Sequence, residues 1–268
     1  MSSWYRRMLL LLLGALACGT TTAHAEEPVR VFVLAGQSNM VGAGRIEANP
    51  ERNDGMGSLE WLVDESPTKA RYQHLRKNDG SWASHEDVKI WYLGQVGDLA
   101  PGYGANESTI GPELGFGSVV GDAYEEPVLL IKIAWGGKSI GKDFRPPSSG
   151  GEVGSEYRQL VEMTKAVLLD AELLFPELEG RTFELMGIGW HQGWNDRVNQ
   201  GFNDQYEQNL ANFIRDIRKI LAKIPNDRQS LLFSATMPRS IVELSRDMLH
   251  DPVSVSITPE STTVEAIE

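Results

Sequence analysis

VRVFVLAGQSNM, residues 29–40, is the stretch from which the fold follows. Val29–Ala35 is an apolar, β-branched run closed by Gly36, the pattern of a buried strand. Ser38 comes just after it, two residues past that glycine, where a strand turns into a helix. A serine so placed sits like a nucleophile at the end of a sheet. A serine before a helix is also a common N-cap, so the context of the whole chain has to decide its role.

Working outward, strands and helices alternate. Val88–Leu93 and Glu184–Trp190 are strand candidates, and Val128–Ala134, VLLIKIA, is the clearest buried strand. Helical spacing marks Gly111–Ala123, Tyr157–Leu174, with Leu160, Met163, Val167 and Leu174 on one stripe, and Asp204–Lys223. Residues 43–85 form a long polar excursion, and Gly136–Ser155, rich in Gly, Pro and Ser, is a loop. A further strand, Leu231–Ala235, and helix, Arg239–Leu249, follow. This alternation predicts an α/β fold, a parallel sheet covered by helices on both faces, with the active site at the carboxyl ends of its strands.

The 268 residues carry 25 Lys and Arg against 37 Asp and Glu, a formal charge of −12. That balance argues against a nucleic-acid binder that tracks phosphates. Met1–Ala25 reads as a secretory signal: Arg6 and Arg7, the apolar run Met8–Cys18, then Ala23-His24-Ala25 before Glu26. The run is shorter than the ~20 apolar residues a membrane span needs. Its removal takes away the only cysteine, Cys18, and leaves 23 basic against 37 acidic residues, a formal −14. The expected product is periplasmic or secreted, with no membrane partner after cleavage and no disulfide. The five histidines are scattered, with no H-x-x-x-H and no cysteine pair, so neither a metal site nor a cofactor is expected.

AGQSNM, with Ser38, resembles the first block of the SGNH hydrolases, in the branch of sialate O-acetylesterases and related carbohydrate acetylesterases. Gly111-Pro112-Glu113-Leu114-Gly115, KIAWGGKS at Lys132–Ser139 and WHQGWND at Trp190–Asp196 agree in order and spacing, and DFRPPSSGG, Asp143–Gly151, is similar to the loop bordering the sugar site. The resemblance covers about residues 28–219. It implies a three-layer, flavodoxin-like fold and a serine esterase that takes an acetyl group from an acetylated carbohydrate. Ser38 would be the nucleophile. The oxyanion would be held by the N–H of Ser38, that of Gly136 or Gly137, and the side-chain amide of Gln192, whose NH₂ donates without needing protonation. Glu113, Trp194 and Arg145 would contact substrate. Trp194 stands where the branch commonly carries a glutamate, which suggests an aromatic wall for a sugar ring, whereas Trp190, on the strand, is expected in the core. Alternation along the strand points His191 away from Gln192, and His74 and His85 are expected to be solvated.

The end of the chain departs from that family, which closes with an Asp-x-x-His block. From Phe213 onward the sequence resembles a DEAD-box RNA helicase, with Ser234-Ala235-Thr236 matching its SAT motif. The reading is therefore a signal at 1–25, an esterase-like domain at 26–219 and a helicase-like, RecA-type fragment at 220–268 in place of the C-terminal strand and helix. The join falls in Asn212–Lys219. The fragment has no phosphate-binding G-x-x-x-x-G-K-[ST] loop and no DEAD motif, so no helicase action is expected. Asp247 and His250 reproduce the Asp-x-x-His spacing; they are read as a coincidence on a helicase-type helix, with a working triad as the alternative, and the expectation is an impaired esterase or, alternatively, a catalytically inactive carbohydrate-binding protein. Mass spectrometry of the exported protein is expected to find an N-terminus at Glu26; a retained Met1 would contradict the signal reading.

Overall fold

The computed structural model of the chain describes residues 27–221. In chain order these form β1 (Val29–Gly36), α1 (Ser38–Val41), β2 (Gly44–Arg45), α2 (Leu59–Asp64), β3 (His85–Tyr92), β4 (Gln95–Leu99), β5 (Thr109–Ile110), α3 (Pro112–Ala123), β6 (Val128–Ala134), α4 (Ser155–Leu169), α5 (Ala171–Leu174), β7 (Phe183–His191), α6 (Trp194–Arg197) and α7 (Gln200–Leu221). The five-stranded sheet has the order β4-β3-β6-β1-β7. All its pairings are parallel except the antiparallel β3–β4 edge, so the expected three-layer α/β architecture is present.

The two-residue period of the strands divides the core in two. Val29, Val31, Val33 and Ala35 of β1 face α4 and α7 and pack with Leu160, Val167, Leu210 and Ile214. Phe32 and Leu34 point the other way, toward Leu114 and Val120 of α3. Phe213 and Ile217 also lie in the first core, so α7 packs on the sheet well past Asn212.

Local chemistry explains the departures from the sequence reading. The single helix expected over 157–174 breaks at Asp170, whose φ −100, ψ 11 is not helical, into α4 and α5. Strand β4 was not anticipated. It pairs with β3 through Leu93-Gly94, with φ values of 47° and 97°; a two-residue turn with both φ positive suits the twist of a hairpin, and leucine rarely signals it. The expected strand 231–235 and helix 239–249 lie outside the described residues, as do the signal segment, Asp247 and His250.

Two close approaches place the turn after β1. A methyl group on Gly36 would lie 2.2 Å from the His191 carbonyl oxygen, and one on Gly42 would lie 2.1 Å from Gly111 Cα. Glycine is what lets β1 close against β7 and lets α1 end against the start of α3. Beneath that turn sits a charge. Lys132 of β6 is fully buried, and its Nζ donates to Glu113 Oε2 (2.6 Å), Tyr103 O (2.6 Å) and Val41 O (2.7 Å). Glu113 Oε1 accepts from Gly111 N at 2.7 Å. Burial pushes the Glu113 carboxyl up and the Lys132 ammonium down, each opposed by the charge of the other.

Removing one member of such a pair leaves a buried charge without its partner, which typically costs ~3–5 kcal/mol. Lys132→Met is expected to lower stability by about that much in urea unfolding. Lys132→Met with Glu113→Leu is expected to recover only part, because Val41 O and Tyr103 O stay unpaired. A loss under about 1 kcal/mol in the single variant, within the range of surface pairs, would show that the pair anchors nothing.

Candidate active site

The residues singled out in the sequence converge on the carboxyl edge of the sheet. Ser38 is the first residue of α1, with its side chain exposed. The first N–H groups of a helix have no intrahelical partner, so the Ser38 N–H is a free donor beside its own hydroxyl. Gln37, directly before it, is only 1% exposed. Its backbone N–H donates to His191 O at 3.1 Å, which ties the turn carrying Ser38 to the end of β7.

The Gln37 carboxamide is held from three sides. Its Oε1 accepts from Gly193 N (3.2 Å), Gln192 Nε2 (3.3 Å) and Asn195 N (3.4 Å), and its Nε2 donates to Asn195 Oδ1 (3.4 Å). The loop after β6 runs alongside. Trp135 N donates to Gly36 O at 3.3 Å. Among the described residues neither the Gly136 nor the Gly137 N–H enters a hydrogen bond, and Gly137 has φ +71. Gly137 thus stays a candidate donor for the oxyanion.

Asp196 fixes that loop. Its fully buried carboxylate accepts from Gly141 N (2.8 Å), Ile140 N (2.9 Å) and Gln192 Nε2 (2.5 Å). Burial pushes its carboxyl above the usual range, against the lowering effect of these donors. A second clamp lies next to it, where Asp143 Oδ2 accepts from Ser139 N (2.8 Å) and Ser139 Oγ (3.0 Å). Lys138, between these clamps, is ion-paired with Glu156.

Comparison with known proteins bears on this edge. The family model for carbohydrate esterases described as sialic acid-specific acetylesterases matches residues 28–232. The chain belongs to that family. A carbohydrate esterase is a hydrolase of ester bonds. Among solved structures, NanS aligns with a TM-score of 0.50 at 15% identity, over 85% of this chain and 76% of that one, a likeness of fold. Sequence similarity also reaches the DEAD-box ATP-dependent RNA helicase CshA of Bacillus subtilis, 28% identical over 52% of this chain and 27% of that protein. The RNA helicase CrhR of Synechocystis is 42% identical over 55% of this chain and 25% of that protein. The chain spans about a quarter of the length of these helicases.

Within this esterase-family fold, three expected roles are corrected. Gln192 is 2% exposed, and its amide nitrogen is spent on Asp196 Oδ2 and Lys138 O (3.0 Å), with Gln37 Oε1 as a third neighbour. It has no N–H left for an oxyanion. Glu113 is sealed under α1 with Lys132 and Gly111, out of reach of substrate. Arg145 binds its own loop: Nε donates to Gly150 O (2.8 Å), Nη2 to Ser149 O (3.0 Å), and Nη1 to Gly141 O (3.1 Å) and Gln205 Oε1 (3.3 Å). Its guanidinium organises the border of the site rather than a ligand.

The tryptophans sort as their positions imply. Trp190 is buried between Phe144 and Phe213, with ring centroids at 5.0 and 4.4 Å. Trp194 is 58% exposed on α6, with the Arg197 guanidinium 5.5 Å from its ring. Of the described histidines, His74 is exposed and His85 opens β3 at the opposite end of the sheet, 3.4 Å from Asp122 Oδ1. His191 ends β7, half-buried, and burial holds its imidazole below the usual range.

Sequence reading missed Gln37 and Asp196 as organising groups. The signal was present: both are amide or carboxylate side chains inside the two motifs, beside residues already chosen. Asp196→Asn places an N–H where the carboxylate met only donors, leaving a buried donor unpaired at a typical cost of ~1–3 kcal/mol. We expect that loss in urea unfolding, together with slower reaction of Ser38 with a fluorophosphonate. An unchanged midpoint and rate would show that the clamp is dispensable.

Proposed function

We propose that this chain is an exported serine esterase that removes O-acetyl groups from carbohydrates through Ser38. The observation carrying this reading is the exposed Ser38 hydroxyl at the N-terminus of α1, beside the unused N–H groups of Gly136 and Gly137. Family membership supports the acetylated-carbohydrate substrate. Ser38 Oγ attacks the acetyl carbonyl as a base takes its proton. The tetrahedral oxyanion forms against the Ser38 and Gly137 N–H groups, the sugar hydroxyl leaves with a proton, and water then releases acetate from the acyl-enzyme. Trp194 offers the sugar ring an exposed aromatic face at this edge. The esterase-like domain is the segment 26–219, incomplete at its C-terminus, where the helicase-like residues 220–268 replace the family's closing block, and the signal of residues 1–25 is removed on export.

The base is the weak point of the chemistry. A serine hydroxyl is a poor nucleophile until a base takes its proton. Among the described histidines only His191 lies at the carboxyl edge, and no carboxylate is hydrogen-bonded to it there. That observation favours the second reading, a carbohydrate-binding protein that keeps the pocket and lacks turnover. In the first reading, loss of the base lowers the rate by ~10²–10⁴.

Hydrolysis of a small acetyl ester and of an acetylated sugar by the mature chain separates the two. We expect slow turnover, abolished in Ser38→Ala and little changed in His250→Ala. Trp194→Ala is expected to raise KM for the acetylated sugar by about 3- to 10-fold, the size of an aromatic contact, and to leave the small ester unaffected. Binding of the acetylated sugar with no Ser38-dependent turnover would establish the binding protein instead. Turnover abolished equally in Ser38→Ala and His250→Ala would mean that Asp247 and His250 complete a triad.

A further inference from the structure

We infer that residues 231–235, LLFSA, pair in parallel with the free side of β7 as a sixth strand of the sheet, and that the segment after them carries Asp247 and His250 away from Ser38. The inference does not depend on the esterase reading. Among the described residues β7 is paired on one side only, by β1. Its nine residues, FELMGIGWH, include one carboxylate, Glu184, which is ion-paired with Arg30, and no lysine or arginine. Leu185 and Trp190 are buried in the core on one face of the sheet, and Met186 in the core on the other. A strand that is apolar on both faces belongs inside a parallel sheet, and a bare edge of this length invites pairing. The opposite edge is built differently: β4 has only five residues and sets the charge of Asp98 against Lys89.

The course of the chain selects the occupant. Tyr206 Oη donates to Gln192 O (2.9 Å), and Phe213 packs on Trp190 with ring centroids 4.4 Å apart, so rising numbers along α7 follow falling numbers along β7. Helix α7 therefore runs from the carboxyl edge back to the amino end of the sheet. Its 22 residues span ~33 Å, about the length of the strand beneath it. Helices α4 and α7 cover the same face, and the crossover from β6 through α4 leads past β1 to β7. Parallel crossovers are almost always right-handed, so a second one on the same face continues in the same direction, onto the free side of β7. Residues 222–230, AKIPNDRQS, carry the turn residues Pro225, Asn226 and Asp227, and LLFSA is the first apolar run after them. A parallel strand ends at the carboxyl edge, which brings Thr236, Met237 and Pro238 there. The helix expected over 239–249 then leads back toward the amino end by ~16 Å, taking Asp247 and His250 with it. The tail completes the sheet and not a triad.

Hydrogen exchange on the mature full-length chain tests the pairing. Neighbouring residues of a strand aim their N–H groups at opposite sides, so β1 can protect only alternate amides of β7. We expect the other β7 amides to be protected as well, together with alternate amides of residues 231–235, in a monomeric protein. Of Leu232→Pro and Phe233→Pro, one removes an N–H aimed at β7. The more damaging of the two should speed exchange of the outer β7 amides by about 10-fold or more, with Val128–Ala134 unchanged. If both variants fail to fold, the wild-type pattern decides. Exchange of residues 231–235 at unprotected rates beside a protected Val128–Ala134 would overturn the pairing. So would outer β7 amides unmoved in both variants, or a dimer in which their protection falls on dilution, which would make a second copy the occupant. The only cysteine, Cys18, lies in the signal segment, so a nitroxide on His250→Cys of the mature chain reports a single position. It should broaden the amide signals of Phe183–Leu185 and spare Ser38–Val41. Broadening at Ser38–Val41 would overturn the placement of His250.

Discussion

An ammonium group buried in the middle of an apolar sheet constrains everything above it. Lys132 lies in a strand whose seven residues are all buried, and an unpaired charge there would be prohibitive. Its three hydrogen bonds therefore have to be made, and each partner is a piece of the site. Val41 O ends the helix that begins with Ser38, Glu113 opens α3, and Tyr103 O belongs to the segment between them. The first, second and third motifs are held together by this one requirement. The same requirement removes Glu113 from the substrate side: a carboxylate that neutralises a buried lysine has no oxygen left to face a ligand.

The fourth motif is held by a different logic. Asp196 and Gln37 present acceptors to backbone N–H groups from two loops, and the loops are fixed because leaving those donors unpaired would be costly. Donors set in advance around an empty space are what a developing oxyanion needs, since they do not have to turn toward it as charge appears. The donor and acceptor atoms that do the fixing are themselves engaged. The Gln192 amide nitrogen and the Asp196 carboxylate are spent on each other and on the loop, and the N–H groups of Ser38, Gly136 and Gly137 are those the clamps leave open.

Which parts were legible in the sequence follows from the same distinction. Strand runs, the placement of Ser38 after β1 and the gathering of the motifs at one edge are matters of period and order, and residue types report both. The burial of Trp190 and the exposure of Trp194 followed from a strand position and a strand-end position. Glu113, Arg145 and Gln192 were misjudged because a motif says which edge a polar residue reaches, not which of its atoms are already taken. Arg145 is held by three backbone carbonyls, those of Gly141, Ser149 and Gly150, and these belong to a loop whose turn no periodicity encodes. The β4 hairpin was missed because its turn uses Leu93, where the usual turn residues are absent.

The same reasoning bears on where the esterase part of α7 ends. Leu210, Phe213, Ile214 and Ile217 form the apolar stripe that any helix covering a parallel sheet must have. A stripe of that kind is shared by both families the sequence resembles, and it cannot say which of them supplied a residue. Polar contacts are more particular. Asn212 Nδ2 donates to Ser148 O (3.2 Å) and Ser149 Oγ (3.1 Å), and the Asp216 carboxylate accepts from Ser148 N (2.8 Å) and Ser148 Oγ (2.5 Å). Both hold the loop that Arg145 also ties. A carboxylate matched to a backbone N–H and a hydroxyl of this loop is more particular than an apolar stripe, so the polar contacts that join α7 to the loop run on through Asp216.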